Sequence, residues 1–220
     1  MEVTGEVEAL RPALRAIVTR LALEVTDAQI DALLAYLSLL QRWNAIYNLT
    51  AVREPARMLT QHLADCLAII HPLRHVLGGD AARVLDVGSG AGLPGVIVAI
   101  LNPTVLVTCV DTVGKKAAFV QQVATELRLR NLRAEHGRVE QLKTGPFDVV
   151  VSRAFASLTD FVRLTGTLLA PRGMWMAMKG KVPLDELRQL PASIDVFHVE
   201  QLAVPDLGAE RCIVWMRPKE

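Results

Sequence analysis

Residues 84–95 of the chain read Val84-Leu85-Asp86-Val87-Gly88-Ser89-Gly90-Ala91-Gly92-Leu93-Pro94-Gly95. Apolar residues lead into a run of glycines, which predicts a buried strand followed by a tight turn. A glycine-rich turn between a strand and a helix lets backbone N–H groups approach a ligand closely. The stretch therefore predicts an α/β sheet with a ligand site at the end of its first strand.

The sequence around this stretch predicts a doubly wound α/β fold. From Ala82 onward, short apolar runs alternate with helical segments, as is typical of a parallel sheet covered on both faces. The predicted strands are 83–87, 105–111, 132–136, 147–151 and 174–179, and the predicted helices lie near 94–101, 115–128 and 158–169. Segments 195–202 and 211–217 leave no room for a helix between them, so we expect an antiparallel hairpin at the sheet edge.

The first third of the chain reads as helices. Thr26 with Gln29 forms a capping box, and apolar residues then recur at helical spacing. Pro55 suits the first turn of another helix. We therefore divide the chain into a helical N-terminal extension, 1–80, and a Rossmann-like core, 81–220.

Composition narrows the class of protein. With 220 residues, 51% of them hydrophobic, the chain can bury one sizeable core. The formal net charge is +1, so any polyanionic partner must bind to a local basic patch. Three scattered cysteines indicate neither disulfides nor a metal site. We expect a cytoplasmic monomer without metal, signal peptide or membrane span.

Two cofactor classes compete for the glycine turn. Residues 90–95 satisfy the dinucleotide pattern GxGxxG, which makes a dehydrogenase one alternative. Asp86 opposes it, because an anion there would repel a pyrophosphate at the helix N-terminus. S-adenosylmethionine has ammonium and sulfonium charges and no phosphate, so a carboxylate favours it. We predict a class I S-adenosylmethionine-dependent methyltransferase with cofactor contacts from Asp86, Ser89, Gly90 and Gly92.

Two further segments should contact the nucleoside part of the cofactor. Asp111 ends the second strand 25 residues after Asp86, where an acid typically accepts hydrogen bonds from both ribose hydroxyls, and we predict a cofactor contact from Thr112 beside it. Asp111 could instead cap the helix that follows the turn starting at Thr112. Val139 and Glu140 follow the third strand and would lie beside the adenine.

The end of the fourth strand narrows the acceptor chemistry. It reads Ser152-Arg153-Ala154-Phe155 and lacks the Asn/Asp-Pro-Pro-aromatic run that usually accepts hydrogen bonds from an exocyclic amine. Methylation of a pyrimidine carbon needs a nucleophilic cysteine near the acceptor, and none of the cysteines lies at such a position. A nitrogen with a free lone pair, such as N7 of guanine, needs neither that motif nor a cysteine nucleophile. We therefore expect no catalytic base and rate enhancement from proximity and orientation.

With these residues in view, the chain resembles the bacterial 16S ribosomal RNA guanine-N7 methyltransferase family RsmG, also called glucose-inhibited division protein B. The resemblance covers most of the length and rests on segments 43–50, 86–95, 152–156, 179–180, 204–205 and 210–211. It implies methylation of one guanine (position 527 in the usual ribosomal RNA numbering), in 16S ribosomal RNA or the small subunit. The cofactor positions that it implies are Gly88, Leu93, Val139, Glu140 and Arg153.

The resemblance has two departures. Gln61 stands where the family commonly has a basic residue, and Cys66 where it has serine, in Gln61-His62-Leu63-Ala64-Asp65-Cys66. This puts an RNA contact at position 61 in doubt. We expect His62 and Asp65 to form hydrogen bonds within the helical extension.

Cations supply candidate RNA contacts. A basic run comprises Lys115, Lys116, Arg128, Arg130, Arg133 and Arg138. It could be a phosphate footprint or a solvated helix face. We predict RNA contacts from Lys115, Lys116, Arg138, Arg153 and Lys179, with Arg153 alternatively binding the cofactor carboxylate. Two other functions stay open, a methyltransferase of small molecules or protein and a non-catalytic cofactor-binding module.

Overall fold

Seven strands form one sheet in the order β3-β2-β1-β4-β5-β7-β6. The computed structural model describes residues 4–79, 81–153, 155 and 157–219. The strands are β1 (Arg83–Val87), β2 (Leu106–Asp111), β3 (Leu132–His136), β4 (Phe147–Ser152), β5 (Leu169–Lys179), β6 (Ile194–Leu202) and β7 (Arg211–Pro218). Neighbours from β3 to β5 are parallel. The predicted doubly wound sheet is confirmed.

The antiparallel hairpin is confirmed as well. Strand β7 pairs antiparallel with both β5 and β6, so β6 is the edge strand. Strand β5 begins at Leu169, five residues before the predicted start. Leu169 pairs with Phe147, and the register then shifts so that Val149 pairs with Met174, which a pattern of apolar residues does not reveal.

Helices cover both faces of the sheet, and their order follows the sequence prediction closely. They are α1 (Gly5–Glu8), α2 (Arg11–Arg20), α3 (Asp27–Tyr47), α4 (Pro55–Met58), α5 (Asp65–Leu67), α6 (Ile70–Leu77), α7 (Gly95–Leu101), α8 (Gly114–Glu126), α9 (Leu158–Thr165) and α10 (Leu184–Arg188). A π-helix (Leu59–Ala64) joins α4 to α5, and 3-10 turns span Val139–Gln141 and Gly166–Leu168. The short α10 and the π-helix were not predicted.

Alternating side chains along the strands build two apolar layers. On β1, for example, Val84 packs with the N-terminal helices, α7 and α8, whereas Leu85 packs on the side of α9. Successive residues of a strand point to opposite faces, so one strand serves both layers. The helical extension therefore forms part of the core on one face.

Local signals set the ends of the N-terminal helices. The Thr26 hydroxyl accepts the Gln29 backbone N–H while the Gln29 side chain accepts the Thr26 N–H, which confirms the capping box. Helix α3 ends at Asn48, a left-handed residue that asparagine tolerates well. Gly78 ends α6 in the same conformation. Across the part of the chain that the structure describes, no helix combines the length and apolar character needed to cross a membrane.

Gly95 offers a test of the packing beneath the glycine turn. A Cβ on Gly95 would collide with the Cys109 Sγ and lie 2.9 Å from Asp86 Oδ2. We expect Gly95→Ala to lower the free energy of unfolding by about 1–3 kcal/mol, the usual cost of overpacking. Urea unfolding measures it, with Gly5→Ala as control because, apart from its neighbours in the chain, no described residue lies within 4 Å of a Cβ at that position. Equal stability of the two variants would contradict the packing described here.

Candidate functional site

The functional site lies where the chain changes direction across the sheet. From β1 the chain moves outward through β2 and β3, and it then returns to place β4 on the other side of β1. Ligands of open α/β sheets bind at the carboxyl ends of the strands beside such a switch point. The glycine turn follows β1 at this edge, and Arg153 follows β4.

The glycines of the turn divide into two kinds. Gly88, Gly90 and Gly92 have positive φ angles of 67°, 59° and 81°, which favour glycine. A Cβ on Gly92 would collide with Val96. Apart from their neighbours in the chain, no described residue lies within 4 Å of the Cβ positions of Gly88 and Gly90, so a ligand can approach the backbone there. The backbone N–H groups of Gly88 and Ser89 are tied to the Val110 carbonyl at 2.9 and 3.2 Å.

Asp86 lies beneath the turn and is completely buried. Its Oδ2 accepts the Gly95 backbone N–H at 2.8 Å, while its Oδ1 has no hydrogen-bond partner among the described residues. Burial raises the pKa of Asp86 to about 7, against the lowering effect of the Gly95 N–H. The carboxylate thus supports the turn from below, and its direct contact with a cofactor stays a prediction.

Asp111 faces a cavity of about 550 Å³ at the ends of β1, β2 and β3, here called the β1–β3 cavity. Its Oδ2 accepts the Gly90 N–H at 2.9 Å, and its Oδ1 accepts the Val113 N–H at 2.8 Å. A carboxylate has about four acceptor sites, so both oxygens can accept further hydrogen bonds. Asp111 therefore shapes the turn and retains capacity for a diol.

The β1–β3 cavity brings together five of the eleven predicted cofactor residues. Besides Asp111 its walls include Gly88, Thr112, Val139, Glu140, Lys116, Arg138 and Phe155. Ser89 and Leu93 are buried within the turn and do not line this cavity. Apolar walls with a few polar groups are the usual make-up of a small-molecule site.

A second cavity, of about 520 Å³, lies at the ends of β5 and β7 and is called here the β5–β7 cavity. It is polar, and its walls include Gln61, His62, Asp65, Arg153, Lys179 and Arg211. Arg153 lines this cavity, whereas Phe155 lines the β1–β3 cavity. Two described residues that follow β4 thus face different cavities. Ala154 and Ala156 of the motif lie outside the described residues.

Asp65 connects the helical extension to the core. Its Oδ1 accepts Arg211 Nε at 2.8 Å, and its Oδ2 accepts Arg153 Nη1 at the longer distance of 3.5 Å. The expectation that Asp65 would bond within the extension is therefore wrong, because both partners belong to the core. Burial lowers the pKa of Arg153, but Cys66, Asp65 and other neighbours raise it overall.

His62 lies in the π-helix and is almost completely buried. Its Nε2 lies 3.0 Å from Thr50 Oγ1, which agrees with the predicted bond within the extension. Its Nδ1 has no hydrogen-bond partner among the described residues. Burial and the charge of Arg153 lower the pKa of His62 to about 4, against a smaller effect of the Gln61 backbone. The ring is therefore neutral near pH 7.

The predicted RNA-binding cations have different surroundings. Lys115 Nζ donates to the Tyr47 carbonyl at 2.7 Å. Lys179 is paired with Glu186 of α10 at 2.8 and 3.0 Å, so it is not the free cation that we expected. Arg128 and Arg130 precede β3 and therefore lie toward the opposite edge of the sheet. The basic run is not one patch around the cavities.

Several site residues were missed by sequence reasoning. Tyr36 of α3 donates its hydroxyl to the Ala91 carbonyl at 2.8 Å and so holds the glycine turn from the extension. Arg211 and Glu186 pair with Asp65 and Lys179. A charged residue within a short motif can be recognised from the sequence. The residue with which it pairs lies many positions away and cannot be recognised in this way. No group of three or more His, Cys, Asp or Glu suited to a metal ion occurs in the described ranges.

The sequence is similar to a family of known proteins over most of its length. The family model described as "GidB: rRNA small subunit methyltransferase G" matches residues 29–214. "Ribosomal RNA small subunit methyltransferase G" of Leptothrix cholodnii is 62% identical over 195 residues, which cover 89% of each chain. The protein of the same name from Albidiferax ferrireducens is 59% identical and covers 94% of this chain and 97% of its own.

The fold is similar to that of solved methyltransferases. TrmN from Thermus thermophilus has a TM-score of 0.58 at 20% identity, over 70% of this chain and 49% of its own. A SAM-dependent methyltransferase from Thiobacillus denitrificans, solved with S-adenosyl-L-homocysteine, has a TM-score of 0.51 at 15% identity, over 68% of this chain and 90% of its own. At such identities the likeness concerns the fold, and it confirms the predicted class I methyltransferase architecture.

The raised pKa of Asp86 predicts how stability depends on pH. The native state keeps a proton between pH 3.8 and about 7 that the unfolded state has lost. This proton contributes fully to the free energy of unfolding below pH 3.8, and its contribution is lost as the pH rises through about 7. Its slope approaches roughly 1.4 kcal/mol per pH unit.

Asp86→Asn removes this titration and preserves a side-chain oxygen for the Gly95 N–H. We therefore expect the free energy of unfolding of the variant to rise relative to the wild type as the pH increases from about 4 to about 7. Urea unfolding across this range measures the difference. A constant difference would show that Asp86 has an ordinary pKa.

Proposed function

Because the chain belongs to the GidB family of rRNA small subunit methyltransferases, we propose that it methylates N7 of one guanine in 16S ribosomal RNA. It is an S-adenosylmethionine-dependent enzyme that acts on RNA of the small ribosomal subunit. The proposal extends this to the atom that receives the methyl group and to the residues that bind each reactant. We place the reaction in the cytoplasm, where a ribosomal substrate is found.

The observation that supports the proposal is the pair of cavities lined by Phe155 and by Arg153. One has Asp111 among both apolar and charged residues, and the other has paired charges. We assign the methyl donor to the β1–β3 cavity and the acceptor base to the β5–β7 cavity. Arg153 would then lie between the two reactants.

The residues of the β1–β3 cavity fit the cofactor. Asp111 has acceptor sites for the ribose hydroxyls, and the open backbone at Gly88 and Gly90 leaves room for the chain that bears the sulfonium. Val139 and Glu140 would border the adenine. When bound, S-adenosylmethionine supplies a methyl group on a good leaving group.

The residues of the β5–β7 cavity suit an acceptor that becomes positively charged. N7 of guanine attacks with its lone pair and loses no proton, so no base has to remove one. The cations of this cavity form ion pairs with carboxylates. Asp65 pairs with Arg211 and Arg153, and Glu186 pairs with Lys179. These carboxylates offset charges that would otherwise oppose a cationic product.

Lys116 and Arg138 are the best candidates for phosphate contacts. Both line the β1–β3 cavity at the same edge of the sheet as the acceptor site. No ion pair is found for either residue among the residues described. Cations beside the site can hold the RNA backbone without reading its sequence.

Methyl transfer to the ribosomal substrate tests the proposal. Small subunits from a bacterium that lacks the modification are incubated with the enzyme and with S-adenosylmethionine labelled in its methyl group. We expect one equivalent of label, located at N7 of a single guanine of 16S ribosomal RNA. Label on another atom, or in another ribosomal RNA, would refute the proposed acceptor.

Asp111→Asn tests the cofactor site. The substitution replaces one acceptor oxygen by a donor, so we expect the Kd for S-adenosylhomocysteine to rise about tenfold, as for loss of one hydrogen bond. Calorimetry measures the Kd. Asp195→Asn is the matched control, because Asp195 pairs with Arg217 on β6 and β7, away from both cavities. A Kd for Asp111→Asn within about twofold of the wild type would contradict the assignment.

A further inference from the structure

His62 is a buried polar residue that the proposed reaction leaves without a role. Its side chain is 6% exposed and lines the β5–β7 cavity. Its Nδ1 has no hydrogen-bond partner among the described residues, although an unpaired buried polar group usually costs about 1–3 kcal/mol. It also lies in a π-helix, a widened turn that occurs frequently at functional sites.

We assign the proton of the neutral His62 ring from its contact with Thr50. Thr50 Oγ1 already accepts the Val52 backbone N–H at 3.2 Å. Within the described part of the chain, its hydroxyl hydrogen has one acceptor in range, His62 Nε2 at 3.0 Å. A neutral ring whose Nε2 accepts a hydrogen bond has its proton on Nδ1. His62 is therefore a donor at Nδ1.

We infer that His62 selects guanine by donating its Nδ1–H to O6 of the target base. This inference rests on the proposed function, since it assumes that the base enters the β5–β7 cavity. Guanine has two acceptors side by side on this edge, N7 and O6. A donor to O6 leaves N7 free to attack the methyl group.

The same donor rejects adenine. Adenine has an amino group in place of O6, so one of its N–H groups would face the N–H of His62 and no hydrogen bond could form. Discrimination is large when a base of the wrong kind leaves a buried polar group unpaired. Because the ring is neutral, it also adds no charge beside the cation that forms on the base.

The Nδ1 atom of His62 is itself buried, so a base can reach it only if a neighbouring side chain moves. Arg153 lines the same cavity and is the neighbour that we expect to move. Its charge acts on His62, and its hydrogen bonds to the Gln61 carbonyl and to Asp65 are long, at 3.4 and 3.5 Å. Contacts of this length are weak, so a small movement of the guanidinium is inexpensive. Such a movement would open His62 to a base in the cavity.

Two substitutions separate base recognition from support of the fold. Asparagine places its amide near the position of Nδ1, whereas glutamine places its amide near Nε2 and so preserves the contact with Thr50. We expect His62→Gln to lower the single-turnover rate about tenfold, the effect of one lost hydrogen bond, and His62→Asn to preserve most of it. An active Gln variant with an inactive Asn variant would overturn the inference.

Altered bases identify the atom that His62 contacts. Small subunits are reconstituted with 2-aminopurine at the target position, which retains N7 and lacks O6, or with inosine, which retains both. The effect of His62→Gln should fall from about tenfold with guanine to below about twofold with 2-aminopurine, and it should persist with inosine.

The outcomes distinguish this inference from the proposed function. An equal effect of His62→Gln on all three bases would overturn only the inference, because His62 would then support the fold. Absence of N7 methylation by the wild-type enzyme would overturn both. Cofactor Kd and urea unfolding are measured for each variant and should match the wild type within about twofold and about 1 kcal/mol.

Discussion

The hydrogen bond from the Gly95 N–H to Asp86 determines the shape of the ligand site. It joins the end of β1 to the start of α7, at a distance that a side chain on residue 95 would not permit. The turn between them must then be tight, and positive φ angles at its glycines make this possible. The turn presents the Gly90 N–H to Asp111, which ties β2 to the same structure. One buried carboxylate thus organises three elements around the β1–β3 cavity.

The N-terminal helices complete the site as well as the core. Tyr36 holds the glycine turn from one side, and the π-helix supplies a wall of the β5–β7 cavity. Asp65 bonds to Arg211 on β7 and to Arg153 after β4, so the extension and the sheet share one network of charges. Removing one member of such a buried network leaves another charge unpaired, which is costly. The position of Arg153 at the β5–β7 cavity therefore depends on residues far away in sequence.

Local patterns were sufficient to predict the sheet, the hairpin and the position of the glycine turn. Apolar runs and glycines act through the nearest neighbours in the chain, so they can be read from sequence. The π-helix, α10 and the pairing of Lys179 with Glu186 depend on tertiary packing and were not foreseen. Asp86 is instructive, because its charge favoured S-adenosylmethionine on the assumption of direct contact. The structure places the carboxylate beneath the turn, where it organises the backbone.

The central claim is that two cavities beside β4 divide the methyl donor from the acceptor base. A crystal structure of the enzyme with S-adenosylhomocysteine tests it most directly. The account predicts both ribose hydroxyls within hydrogen-bonding distance of Asp111 and the sulfur directed past Arg153 toward His62 and Lys179. A ligand seated in the β5–β7 cavity, or a sulfur directed away from it, would contradict the account.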